Sequence, residues 1–143
     1  MPPTYFIALL IISIGLHFIL PITKLIYPPY NYSGVIVIIF GIVINLWTDS
    51  LFKKNKTTVK PHEMPNLILA SGPFRISRHP MYLGMASILF GTAIIMGSLI
   101  TFIFPIIFII LMEYLFIRME EKNMEKKFGD KFLNHKKKIR RWI

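Results

Sequence analysis

The residues that could do chemistry in this chain gather where long apolar runs begin and end. Residues 72–84 read GPFRISRHPMYLG, which sets Arg75, Arg78 and His79 directly ahead of Pro80 and an apolar segment. Glu113 falls inside a later apolar segment, and the pair Glu120-Glu121 closes it. Ionisable side chains at such places are costly unless they pair or bind something. On a helix His79 and Tyr82, three apart, share a face, with Gly84 just above. Pro80 suits a first helical turn, because its missing N–H would have had no partner there. The free N–H groups of that turn, with Arg75 and Arg78 nearby, make a natural carboxylate site. Glu113 and Glu120, seven apart, are two turns apart and face the same way on a regular helix. If the two apolar segments form a hairpin, both clusters meet at one membrane face.

Each group also has a plainer reading. Arg75 and Arg78 suit the anchoring of a helix in lipid headgroups. Arg118 could neutralise Glu121 or Glu113, or contact a substrate. Asn45 and Asp49, one turn apart on an apolar helix, either line the same pocket on the substrate side or cap that helix in water. Ser13 and His17 read as hydrogen-bond partners between helices.

The elements that must position these residues are four apolar runs, at about 5–22, 34–52, 81–97 and 99–117. Each approaches the ~20 residues that a helix needs to cross a bilayer. The first lacks a basic leading region and a small-residue cleavage site, so it reads as a retained helix. Only Gly97-Ser98 separates the last two runs, which forces a tight antiparallel hairpin. Residues 118–143 alternate charges with Met124, Phe128, Phe132 and Ile139 at roughly helical spacing. They read as an amphipathic tail, interrupted near Gly129-Asp130, that lies along the membrane surface with Trp142 at its end. The expected fold class is all-α, a polytopic membrane protein of about four transmembrane helices with an amphipathic C-terminal helix. Residues 1–143 are expected to form one membrane-embedded domain.

Composition excludes several classes. The chain has 143 residues and is 54% hydrophobic, and a domain this small has no interior large enough to hide such runs from water. It has no cysteine, which rules out disulfides and thiolate chemistry. His17, His62, His79 and His135 show no metal-site spacing, and no metal is expected. The net charge is +10, yet 16 of the 17 basic residues fall at 53–78 and 118–141, beside apolar runs. That clustering fits the positive-inside rule rather than nucleic-acid binding, and it puts both basic regions and the N-terminus on the cytoplasmic side.

TTV-x-P at 57–61, GPFR-x-x-RHPMYLG at 72–84 and EE-x(6)-FG-x-x-F at 120–132 together resemble the isoprenylcysteine carboxyl methyltransferase family, whose superfamily contains the phospholipid N-methyltransferases. The resemblance covers about residues 55–143, and the first two helices match only in character. It implies an integral membrane enzyme that transfers a methyl group from S-adenosyl-L-methionine to a lipid or lipophilic small molecule, in a prokaryotic cell membrane and on its cytoplasmic face. It also implies cofactor contacts from Asn66, Leu67, Ile68, Leu69, Phe74, His79, Pro80, Met81, Tyr82 and Glu120. Phe74 stands where the family has a Tyr. Phe116 stands where the prenylcysteine enzymes carry an Arg that holds their substrate, which weakens a prenylcysteine carboxylate as the acceptor. A carboxylate or thiolate acceptor needs no base, whereas an ammonium must first lose a proton, with Glu113 or His79 as candidates.

Other classes remain open from sequence: a phospholipid N-methyltransferase, a small non-catalytic four-helix membrane protein or transporter, and a superfamily relative that binds another nucleotide. A transporter needs its charge midway along a helix, and the charges here gather near one interface.

Overall fold

The computed structural model describes residues 2–20, 24–56, 68 and 70–143. The TTV-x-P motif and Asn66, Leu67 and Leu69 lie outside the described residues. Helix α1 spans Pro2–Ile19, α2 Ser33–Lys54, α3 Pro80–Met96, α4 Ile103–Met112, α5 Arg118–Phe128 and α6 Asp130–Lys138. Short 3₁₀ turns precede α2, α3 and α4. The chain is an all-α polytopic membrane protein. Among the described residues, three apolar helices are long enough to span a bilayer: Pro2–Ile19, Tyr30–Lys54 and Leu99–Phe128. With 17 residues, α3 is the shortest of the four. At about 1.5 Å per residue it reaches about 25 Å of a ~30 Å hydrocarbon layer.

In lipid there is little hydrophobic force between helices, so association relies on close backbone approach. Glycines set that approach between α2 and α3. A Cβ on Gly34 would lie 2.3 Å from the Gly91 carbonyl oxygen, and one on Gly41 would lie 2.5 Å from that of Gly84. Both pairs are seven residues apart in each helix and run in opposite directions, so α2 and α3 are antiparallel and locked in one register. Apolar side chains such as Ile36 and Phe18 stay exposed, as lipid-facing positions do.

Gly97 ends α3 in the left-handed region at φ +69° and takes the Ala93 carbonyl, a conformation few residues but glycine adopt. Its own carbonyl accepts the Leu25 N–H at 2.6 Å. The α1–α2 and α3–α4 connections therefore meet at one end of the bundle. At the opposite end α1 begins, with Tyr5 edge-on to Phe116 and Phe6 edge-on to Phe108. Around these rings sits a core of Tyr82, Met85, Leu89, Phe108, Met112 and Ile117.

Two expectations change here. The helix does not stop where the fourth apolar run ends: one helical rod continues from Leu99 to Phe128, with a π-helical segment at Glu113–Ile117 and the polar α5 at its end. Nor does the end of the C-terminal segment stand apart from the helices. After Gly129 turns the chain, it folds back, and Trp142 packs against the core. The reason is electrostatic: the rod ends in carboxylates, and the returning segment brings the cation that pairs with them.

Candidate functional site

The 3₁₀ turn Gly72–Arg75 and the start of α3 bring Arg78 and His79 under the end of the rod. Pro80 occupies the first turn of α3, and the Ser77 hydroxyl accepts the His79 N–H at 3.1 Å. The imidazole lies between the two carboxylates of the Glu pair: Nδ1 is 3.3 Å from Glu120 Oε2, and Nε2 is 3.2 Å from Glu121 Oε1. Tyr82 stacks on the His79 ring at 5.7 Å and donates its hydroxyl to Glu120. Burial opposes charge on His79, but the two carboxylates outweigh it and raise its pKa above the ordinary histidine value.

Glu121 is the more enclosed carboxylate, with its side chain 5% exposed against 22% for Glu120. Arg141 donates to it through Nε at 3.2 Å and Nη2 at 2.6 Å. Arg78 Nη2 adds an ion pair at 3.3 Å. The same Arg141 donates Nη1 to Glu113, whose other oxygen accepts the Trp142 indole N–H at 3.2 Å. Two backbone-level bonds hold the returning segment: Arg78 N–H to the Arg140 carbonyl at 3.0 Å, and the Ser77 hydroxyl to the Arg141 carbonyl at 2.9 Å. Arg141 is held firmly charged by the Glu121 hydrogen bonds. His135 on α6 is pushed below its ordinary value, chiefly by burial and then by Arg78 and His79.

The structure thus unites His79, Tyr82, Glu120 and, one shell away, Glu113. Glu113 pairs with Glu121 through Arg141 rather than with Glu120. A π turn closes its hydrogen bonds one residue later than an α turn, which shifts the helix face by about one residue, so eight rather than seven residues return to the same side. Arg118 does not neutralise either acid: it is exposed, 4.3 Å above the Tyr114 ring. Asp49 pairs with Lys53 at 2.6 Å on the surface of α2. Asn45 sits against Gly84, with its Oδ1 buried and without a hydrogen-bond partner among the described residues. Phe74 is buried edge-on to Phe52, Pro80 is buried, and Met81 and Ile68 are half-buried. His17 lies edge-on to Phe18, and its Nδ1 has no hydrogen-bond partner among the described residues. Arg75 is exposed. Sequence reasoning missed Ser77, Arg141 and the Glu113 contact of Trp142. Only the run Arg140-Arg141-Trp142 after a helical stretch hinted at them.

An apolar groove of about 390 Å³ opens between α3 and α4. Leu83, Ala86 and Phe90 form one wall and Phe102, Ile106 and Ile109 the other. Counted by threes and fours, the first row begins at His79 and the second ends at Glu113, so the groove runs in line with the polar cluster. The Phe90 and Phe102 rings, 6.0 Å apart, meet at its far end.

Residues 30–131 match the phospholipid methyltransferase family. The chain belongs to that family. As a phospholipid methyltransferase family member it is an integral membrane methyltransferase of the kind that acts on lipid-type substrates, and it requires a methyl donor. A Haemophilus influenzae protein described as uncharacterized is 36% identical over 63 residues, 44% of this chain and the whole of that protein. No solved structure matches the chain. The family match spans the glycine-locked α2–α3 pair, the RHP turn and the Glu pair, while Arg141 and Trp142 lie beyond it.

Proposed function

We propose that this protein transfers a methyl group from S-adenosyl-L-methionine to a lipophilic acceptor, in the manner of the isoprenylcysteine carboxyl methyltransferases. The observation that carries the reading is the contact of His79 and Tyr82, at the start of α3, with Glu120 on α5. It sits beside donors that the protein itself leaves unused. Arg78 Nε and Nη1 are buried and have no hydrogen-bond partner among the described residues, and buried donors of this kind are normally satisfied. A carboxylate would satisfy them. Glu120, the more open acid, suits an ammonium or ribose hydroxyls, while the Tyr82 and Phe74 rings suit an aromatic base. The residues present therefore fit the donor.

When bound, S-adenosyl-L-methionine supplies a methyl group already activated on a sulfonium. The protein's part is to align an acceptor with it and exclude water. His79, between two carboxylates, favours its protonated form, so it serves better as a fixed cation than as a base. Pro80, Met81 and Ile68, and Asn66, Leu67 and Leu69 outside the described residues, complete the expected donor contacts. Asn45 and Asp49 are retained as candidates on the acceptor side. The apolar groove would take the acceptor's hydrocarbon chain, entering sideways from the lipid. The basic regions beside the apolar runs support a cytoplasm-facing site in a prokaryotic cell membrane.

A phospholipid amine is the second reading, and Phe116 favours it. That side chain is buried in the core, where the prenylcysteine enzymes have a cation for their carboxylate acceptor. In that reading Glu113, whose two oxygens are engaged by Arg141 and Trp142, would have to be released from them to take the ammonium proton.

Calorimetric titration of the purified protein in detergent with S-adenosyl-L-methionine and S-adenosylhomocysteine tests the donor. Binding is expected in the wild type and lost in folded Glu120→Ala and His79→Ala variants. A folded wild type that binds neither compound overturns the enzyme reading. Membranes incubated with methyl-labelled donor, then extracted and separated, distinguish labelled phospholipid from other lipophilic products.

A further inference from the structure

We propose that Glu121 is a positioning residue: held by Arg141 and Arg78, it fixes the ring of His79 through Nε2, so that Glu120 alone faces the ligand. The two acids are adjacent in sequence, yet their surroundings differ. Glu120 Oε2 meets His79 Nδ1 and its Oε1 accepts from Tyr82. Among the described residues, Glu121 meets protein cations: His79 Nε2, Arg78 Nη2, and Arg141 Nε and Nη2. With its side chain 5% exposed and both oxygens on cations, this carboxylate faces the protein rather than a substrate. Its work is to decide where the imidazole sits and that both ring nitrogens carry protons.

The alternative is that Glu121 only neutralises Arg141 and Arg78, with His79 a bystander. Sign separates the two. The groups that face His79 are Glu120 and Glu121 from α5, Tyr82 from α3 and Arg78 from the preceding turn. Glu113 from the π segment, Arg141 from the returning segment and His135 from α6 lie farther out. Removing the Arg141 cation by Coulomb's law alone would raise the His79 titration midpoint. If Arg141 holds the Glu121 carboxylate against the ring, its removal lets that carboxylate drift, and the midpoint falls.

The test is a ligand-free NMR titration of ring-labelled histidines in the full chain in detergent. The His79 signal is assigned by its loss in His79→Asn. In Glu121→Gln the His79 midpoint is expected to fall by about one pH unit or more, the loss of one close carboxylate. In Arg141→Ala it is expected to fall by less, and Arg141→Lys to restore part of the fall. The Arg140 carbonyl bond to Arg78 and the Ser77 bond to the Arg141 carbonyl use backbone groups, so Arg141→Ala keeps the segment in place and remains informative if Glu121→Gln fails to fold. An unmoved midpoint in folded Glu121→Gln, or a rise in Arg141→Ala, overturns the proposal. The role of His79 at the donor rests on the proposed function. The titration needs no donor, so the two can fail separately: titration of S-adenosylhomocysteine into wild type reads the function, and the histidine midpoint reads the positioning.

Discussion

Glu113 and Glu121, eight residues apart on one helical rod, share a single guanidinium, that of Arg141. A regular α-helix would turn them away from each other. The π segment at Glu113–Ile117 makes up the difference, and π turns of this kind are often found at functional sites. The consequence is a division of labour: Glu113 and Glu121 hold the C-terminal segment, and Glu120 is left to His79 and Tyr82.

That division predicts different losses for two neighbouring acids. Glu113→Gln keeps an oxygen for the Trp142 N–H and should leave the affinity for S-adenosylhomocysteine within about twofold. Glu120→Gln should lose at least about tenfold, the scale of one charge-assisted hydrogen bond. Calorimetry on both variants measures the contrast, and equal losses would show that the two acids act on the same ligand.

Stability should fall as pH rises through the titration of His79. Its folded pKa is raised, so its contribution is fully present below the ordinary histidine value of about 6.5. It is lost progressively as pH climbs through the higher folded value. Thermal unfolding in detergent across that window should show a falling midpoint in wild type and a flatter profile in His79→Asn.

The α2–α3 seam should not tolerate a methyl group. A Cβ on Gly91 would sit 2.6 Å from the Gly34 carbonyl oxygen, which is backbone and cannot swing aside. Gly91→Ala should cost roughly 1–3 kcal/mol, as overpacking does. At Gly15 nothing lies within 4 Å, so Gly15→Ala should be neutral or slightly stabilising through helix propensity. Unfolding titrations of the two variants provide the comparison.

Filling the groove should weaken the acceptor and spare the donor. Ser87 lines the groove, and its hydroxyl is already committed to the Leu83 carbonyl. In Ser87→Phe the KM for a lipid acceptor should rise about tenfold, the equivalent of losing contact with about two methylenes. Donor affinity should stay within about twofold. Steady-state kinetics with lipid in mixed micelles, paired with calorimetry, separates the two effects.

The sequence by itself determined the membrane class, the tight hairpin at Gly97 and the pairing of the RHP turn with the Glu pair. Hydropathy periods, a two-residue connection and a motif in fixed order are local, and each survives reading one residue at a time. It also left clear what Phe116 lacks. Tertiary structure decided the rest. Which acid faces His79 from which side depends on the helix phase, and one π segment shifts that phase without leaving a mark in composition. The glycines at 34, 41, 84 and 91 carry no signal one residue at a time, and their spacing gains meaning only when the two helices are antiparallel and in register. Arg141 and Trp142 looked like the end of a surface tail. They reach the site because a turn at Gly129 brings the chain back to carboxylates that, at the edge of a low-dielectric layer, need a cation beside them.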